Sequence, residues 1–115
     1  MEKPSVYVRF LKLVEALNSK SQLRKLDSIE AQLMDSIMLD EAEGRSSFVG
    51  DLLGLKALGS QATLHGRVKN LSYLGYIDLI TQVDARRKRV VLTRQGYKRF
   101  ELLSDCIEQA AHIPA

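Results

Sequence analysis

Gly75 divides two hydrophobic periods. In the run "SQATLHGRVKNLSYLGYI" the residues Leu64, Val68 and Leu71 recur at helical spacing, with Ala62, Gly66, Lys69 and Tyr73 on the opposite side, flanked by Thr63, His65 and Asn70. Beyond the glycine, Ile77, Leu79, Thr81 and Val83 alternate with Asp78, Ile80 and Gln82, which is the period of a strand. The β-branched stretch from Arg89 to Leu92 reads as the returning strand, with 84 to 88 as the connection. A helix that stops at a glycine and runs directly into a β-hairpin restricts the chain to few architectures. The hairpin also carries an uncommon charge pattern, because "DARRKRVVLTRQG" sets four consecutive cations behind one aspartate and then turns apolar.

The other segments read as helices. Val6, Phe10, Leu13, Val14 and Leu17 share one face between Ser5 and Leu17, and "NSKS" breaks the pattern. Asp27 is the expected N-cap of a second helix, with Glu30 completing a capping box, Ile29, Leu33, Met34 and Ile37 on one face, and Gly44 as the stop. Ser46 or Ser47 is read as the cap of a short helix reaching Leu55, with Val49, Leu52 and Leu53 inward. Ser60 caps the helix over 60–74, and Thr93 opens a last helix with Phe100, Leu103, Ile107 and Ala110 along one side. Gly96 within that helix costs up to about 1 kcal/mol on propensity.

This order predicts a mainly α fold with a small β-hairpin: a winged helix-turn-helix with flanking N- and C-terminal helices, in a single domain. Residues 1–25 supply the N-terminal helix, 27–92 the winged-helix core and 93–112 the C-terminal helix.

At 115 residues, with 45% hydrophobic content and two prolines, the chain has apolar surface enough for one core. Its apolar stretches are interrupted by charge, and "MEKPSVYVRF" has no apolar region ending in a small-residue cleavage site, so a soluble, unexported protein without membrane contact is expected. Lone Cys106 excludes an internal disulfide and suits the cytoplasm; beside Asp105, with nothing near it to favour a thiolate, it is expected to be an inert packed thiol. His65 and His112 lie far apart without a Cys/His cluster, so no metal is expected, and no cofactor. There is no pairing of nucleophile and base and no phosphate-binding loop, so the chain is expected not to be an enzyme. The acids of "DEAEG" read as a solvated face.

Charge is segregated along the chain. The formal net charge of +3 divides into +4 over residues 1–25, −5 over 26–59, +7 over 60–99 and −3 over 100–115. Cations gathered on a helix and the adjoining hairpin argue for a polyanionic partner.

The run from Ser60 through Gly96 resembles the DNA-binding half of the MarR family of bacterial transcription regulators. The resemblance rests on Ser60 and Thr63, on Leu71 and Gly75 in a Leu-x-x-x-Gly step, on Asp84 and Arg86 with Arg89 in the wing, and on Leu92, Thr93 and Gly96 in Leu-Thr-x-x-Gly. It is tight over 60–96, looser over 27–59, and one of topology alone for the end helices. The chain departs from the family pattern at Arg87, where an acid is common, and at Gly66, where a larger polar side chain is common. It is also shorter than most members.

The resemblance implies a homodimeric, sequence-specific regulator that binds double-stranded DNA, with the helix of residues 60–74 in the major groove and the wing at 84–89 on the minor groove. Small hydroxyls and backbone N–H groups at a helix start favour phosphates and base edges, which makes Ser60, Gln61 and Thr63 candidates. Ala62 suits a thymine methyl, Gly66 a close backbone approach, and His65, Arg67, Lys69 and Asn70 are further candidates, although Arg67 lies near the core boundary where its stem can pack. Arg86 is the first choice for the minor groove, whose negative potential favours a weakly hydrated guanidinium. Arg87 and Lys88 are read as phosphate contacts, Arg89 as either, and Asp84 as the acid that orients a wing arginine.

Tyr73 and Tyr76 are read as core or boundary residues. Dimerisation is assigned to Val6, Phe10, Leu13, Val14, Leu17, Phe100, Leu103 and Ile107, whose faces exceed what one small core needs; the alternative is that the two end helices pack on each other within one chain. No residue indicates a small-molecule effector, although the resemblance allows one. Two other readings stay open: a winged-helix module that binds protein in a larger assembly, and an architectural DNA-binding protein with weak sequence preference. The gathered cations favour DNA.

Overall fold

A computed structural model describes residues 5–20, 25–83 and 86–112. The elements run α1 (Val6–Ser19), α2 (Ser28–Ala42), β1 (Ser47–Phe48), α3 (Val49–Leu53), α4 (Gln61–Tyr73), β2 (Ile77–Thr81), β3 (Lys88–Leu92) and α5 (Arg94–Ala111). Helices predominate, beside one small antiparallel sheet. The chain divides into two compact units, Leu26–Tyr97 and the pairing of Met1–Lys25 with Lys98–Ala115.

In the unit Leu26–Tyr97, local sequence rules place the helix starts. Asp27 and Glu30 form the expected capping box, and α2 stops before Gly44, whose φ of 75° is the left-handed conformation that favours glycine. Ser60 caps α4 by accepting from the Thr63 N–H at 3.2 Å. At the other end Gly75 takes φ 86°, its N–H donates to the Ser72 carbonyl, and the Tyr76 N–H donates to the Leu71 carbonyl, so two carbonyls of the last turn are satisfied together. The core gathers Leu33, Met34 and Ile37 of α2, Leu52 of α3, Leu64, Val68 and Leu71 of α4, and Ile77, Val90 and Leu92 of the strands.

The expected hairpin forms as β2–β3, within a sheet larger than the sequence predicts. The sheet has three strands in the order β1-β3-β2, because Ser47 and Phe48 pair with Val90 and Arg89 on the outer side of β3. Ser47 is therefore no helix cap: it is buried, and its hydroxyl donates to Asp40 at 2.9 Å. α3 starts at Val49 behind Phe48, without a side-chain cap, and ends at Leu53. In β2 the alternation fades along the strand, for Ile77 is buried while Thr81, Ile80 and the following Val83 are exposed. β3 begins one residue early, at Lys88.

The acids after α2's midpoint are not a purely solvated face. Asp40 and Glu43 both pair with Arg45, which holds that guanidinium's pKa above its ordinary value chiefly through the Asp40 hydrogen bond, and Glu41 accepts from the Tyr97 hydroxyl, which raises the phenol's pKa.

Gly96 has a packing reason that propensity does not reveal. The Thr93 hydroxyl donates to the Gly75 carbonyl, the Thr93 N–H donates to the Tyr76 carbonyl, and the Gly96 N–H donates back to Thr93 Oγ1. A Cβ on Gly96 would lie 2.4 Å from the Tyr76 carbonyl oxygen. The start of α5 thus sits directly on the backbone where α4 ends.

In the other unit, Ser5 caps α1 and Arg9 reaches the C-terminal carbonyls of α5, donating to those of Gln109 at 3.3 Å and His112 at 3.0 Å. A cation there complements the negative end of the helix. α1 extends two residues past Leu17, to Ser19, and buries no side chain, whereas α5 buries Cys106 and Ala110. Burial, and then Asp105, push the Cys106 thiol's pKa up, away from thiolate reactivity.

Candidate nucleic-acid interface

The outward side of α4 is continuous. Gln61, Ala62, His65, Gly66, Lys69, Asn70 and Tyr73 are all exposed, while Leu64, Val68 and Leu71 face the core. Tyr73 is 86% exposed, which corrects its expected place at the core or boundary; Tyr76 is buried as expected. Gly66 has nothing within 4 Å of where a Cβ would stand, so no neighbour within the chain requires a glycine there. The Ser60 hydroxyl is engaged in the cap and also donates to Thr63 Oγ1 at 3.0 Å, which leaves the Thr63 O–H as the donor this pair presents.

Two α4 candidates are tied to α2. Arg67 Nε stands 2.6 Å from Asp27 Oδ2, close enough for an ion pair, but its N–H is not aligned on the oxygen, so the contact is one of charge. The Asn70 amide donates to Glu30 Oε2. Neither link was visible in sequence, since each joins residues 40 positions apart.

The cations of the hairpin are exposed. The β2–β3 register sets Thr81 opposite Lys88 and Ile80 opposite Arg89, and the Gln82 N–H donates to the Arg87 carbonyl at 3.3 Å. Arg87 has a partner within the chain: its guanidinium carbon lies 3.7 Å from the centroid of the Phe48 ring, a cation–π stack that holds the side chain against β1. Sequence reading missed Phe48, because it stood inside a segment read as helix. Asp84, the acid assigned to orient an arginine, lies outside the described residues.

A cleft of about 400 Å³ lies within the unit Leu26–Tyr97, lined by Phe48 and Asp51 on one side, His65 of α4 on another, and Arg86, Arg87 and Lys88 of the hairpin. Arg89 of β3 lines a different recess, with Ser47 and Tyr97. The first cleft has cations on one wall, the His65 imidazole on another and the Asp51 carboxylate beside Phe48. Among the described residues no group of His, Cys, Asp and Glu could hold a metal ion, and no helix is long and apolar enough to cross a membrane.

The residues assigned to dimerisation lie in the other unit. Val6 and Ile107 are exposed, and Phe10, Leu13, Val14, Leu17, Phe100 and Leu103 are half-buried. Tyr7, Val8 and Leu11 add exposed apolar surface to α1 that the periodicity did not single out. Compared with known proteins, the chain matches no family model, and no curated protein is significantly similar to it.

Proposed function

We propose that this protein is a non-catalytic, MarR-like winged-helix regulator of transcription that binds double-stranded DNA sequence-specifically in the cytoplasm. In this reading α4 is the recognition helix in the major groove, and the β2–β3 hairpin is the wing at the minor groove. The observation that carries it is the cleft shared by His65 and the cations Arg86, Arg87 and Lys88, beside an α4 face that is exposed along its length. Cations gathered beside an exposed helix face suit a phosphate strand passing between two grooves, and a protein-docking module does not need them.

Homodimerisation belongs to the same reading. α1 buries no side chain although it carries Val6, Tyr7, Val8 and Leu11 in exposed positions. A regulator on a palindromic operator needs two recognition helices about 34–36 Å apart, one turn of DNA, and α1 and α5 are the faces that would join the two copies.

The test is fluorescence anisotropy with a mixed-sequence duplex across a salt series. The affinity should fall steeply and linearly in log salt, with a slope that counts the phosphates neutralised. Failure to bind even at low salt would remove the DNA reading and leave the protein-interaction module. Sedimentation at the same concentrations should give a dimer.

A further inference from the structure

The capping box of α2 does more than start its own helix. Asp27 Oδ1 accepts from the Glu30 N–H at 2.7 Å and Glu30 Oε1 accepts from the Asp27 N–H at 3.1 Å, which completes the local motif. Each carboxylate then uses its second oxygen outside α2. Asp27 Oδ2 pairs with Arg67, and Glu30 Oε2 accepts from Asn70. Glu30 is only 6% exposed, an uncommon place for a carboxylate unless it is fully engaged. Arg67 and Asn70 stand three positions apart on α4, so the two links hold neighbouring turns of that helix.

We infer that Asp27 and Glu30 are positioning residues for base reading, acting through Arg67 and Asn70. They fix how far α4 is rotated about its own axis, and they keep Arg67 from pairing with whichever phosphate is nearest. Side chains locked by a supporting shell hold a reading geometry that mobile ones lose. The box therefore contributes to discrimination between sequences more than to affinity. This inference rests on the reading of α4 as the DNA-facing helix.

Asp27→Asn separates the two roles. Asparagine caps a helix as well as aspartate does, so α2 keeps its start, while the charge opposite Arg67 is removed. On a duplex selected from random sequence with the wild-type protein, the ratio of selected to mixed-sequence affinity should fall roughly tenfold, the scale of one base contact. The salt slope on the mixed duplex should steepen by about 1 as Arg67 turns to a phosphate.

Asp35→Asn makes the same change of charge on the same helix, at an exposed position, and should alter neither quantity. Repeating Asp27→Asn in an Arg67→Met background should abolish its effect. Glu30→Gln offers one oxygen to two donors, the Asp27 N–H and the Asn70 amide, and should lose part of the ratio, whereas Glu30→Ala removes the link to Asn70 and should lose more. An unchanged ratio and slope for Asp27→Asn, or an effect that persists without Arg67, overturns the inference while leaving DNA binding in place. A wild-type protein that binds no DNA overturns both.

Discussion

Gly96→Ala should lower the stability of the fold by about 2 kcal/mol, the scale of an overpacked interior. The direction is the informative part, since on helix propensity alone the same change should stabilise by about 1 kcal/mol. The new methyl group would stand 2.4 Å from the Tyr76 carbonyl oxygen and 3.2 Å from Leu92 Cδ2, and the first of these is backbone already held by the Thr93 N–H. Urea denaturation should show a lower midpoint at unchanged slope. A higher midpoint would mean that the start of α5 can lift away from Tyr76 at little cost. Gly66→Ala is the matched comparison, because its methyl group meets nothing within 4 Å. It should stabilise the free protein by about 0.5–1 kcal/mol and weaken DNA binding if the backbone of α4 approaches the bases closely.

Replacing Arg86, Lys88 and Arg89 together by alanine should reduce the affinity for a mixed-sequence duplex by roughly 10²–10³ near 0.1 M salt and flatten the salt slope by nearly 3. All three are exposed, so the fold should survive the change. Arg87→Ala alone should behave differently. Its guanidinium is stacked on Phe48, so the loss should register as about 0.5–1 kcal/mol of stability, with a smaller change in slope. A full unit of slope lost on Arg87→Ala would show that the stack opens when DNA arrives. An unaltered slope for the triple variant would take the phosphate contacts away from the hairpin.

What could be read from sequence was what is local. The exposed face of α4, the Asp27–Glu30 box, the Ser60 cap and the glycine stop at Gly75 each depend on residues within about a turn of one another, where periodicity and capping rules operate. Strand β1 was missed because two residues carry no period, and Ser47 looked like a cap for want of any sign that Val90 lay opposite. The links from Asp27 to Arg67 and from Glu30 to Asn70 join distant segments, as does Phe48 beneath Arg87, and no local rule reports such pairs. The motif Leu-Thr-x-x-Gly was legible as a pattern, but its meaning was not. Thr93 and Gly96 hold the junction of α4 with α5, a structural duty rather than a contact with a ligand.

Strand β1 also bears on how the unit assembles. The β2–β3 ladder is a local hairpin and can zip from its turn, but the register of Ser47 with Val90 closes a loop that contains all of α3 and α4. Closing that loop carries an entropic cost before the contacts inside it compensate, so the third strand should be among the last pieces to dock. Until it does, Phe48 cannot lie beneath Arg87, and the tip of the hairpin lacks the ring on which its second arginine rests. The order of folding thus makes a properly dressed cationic tip a sign that the helices between the two strands are already in place.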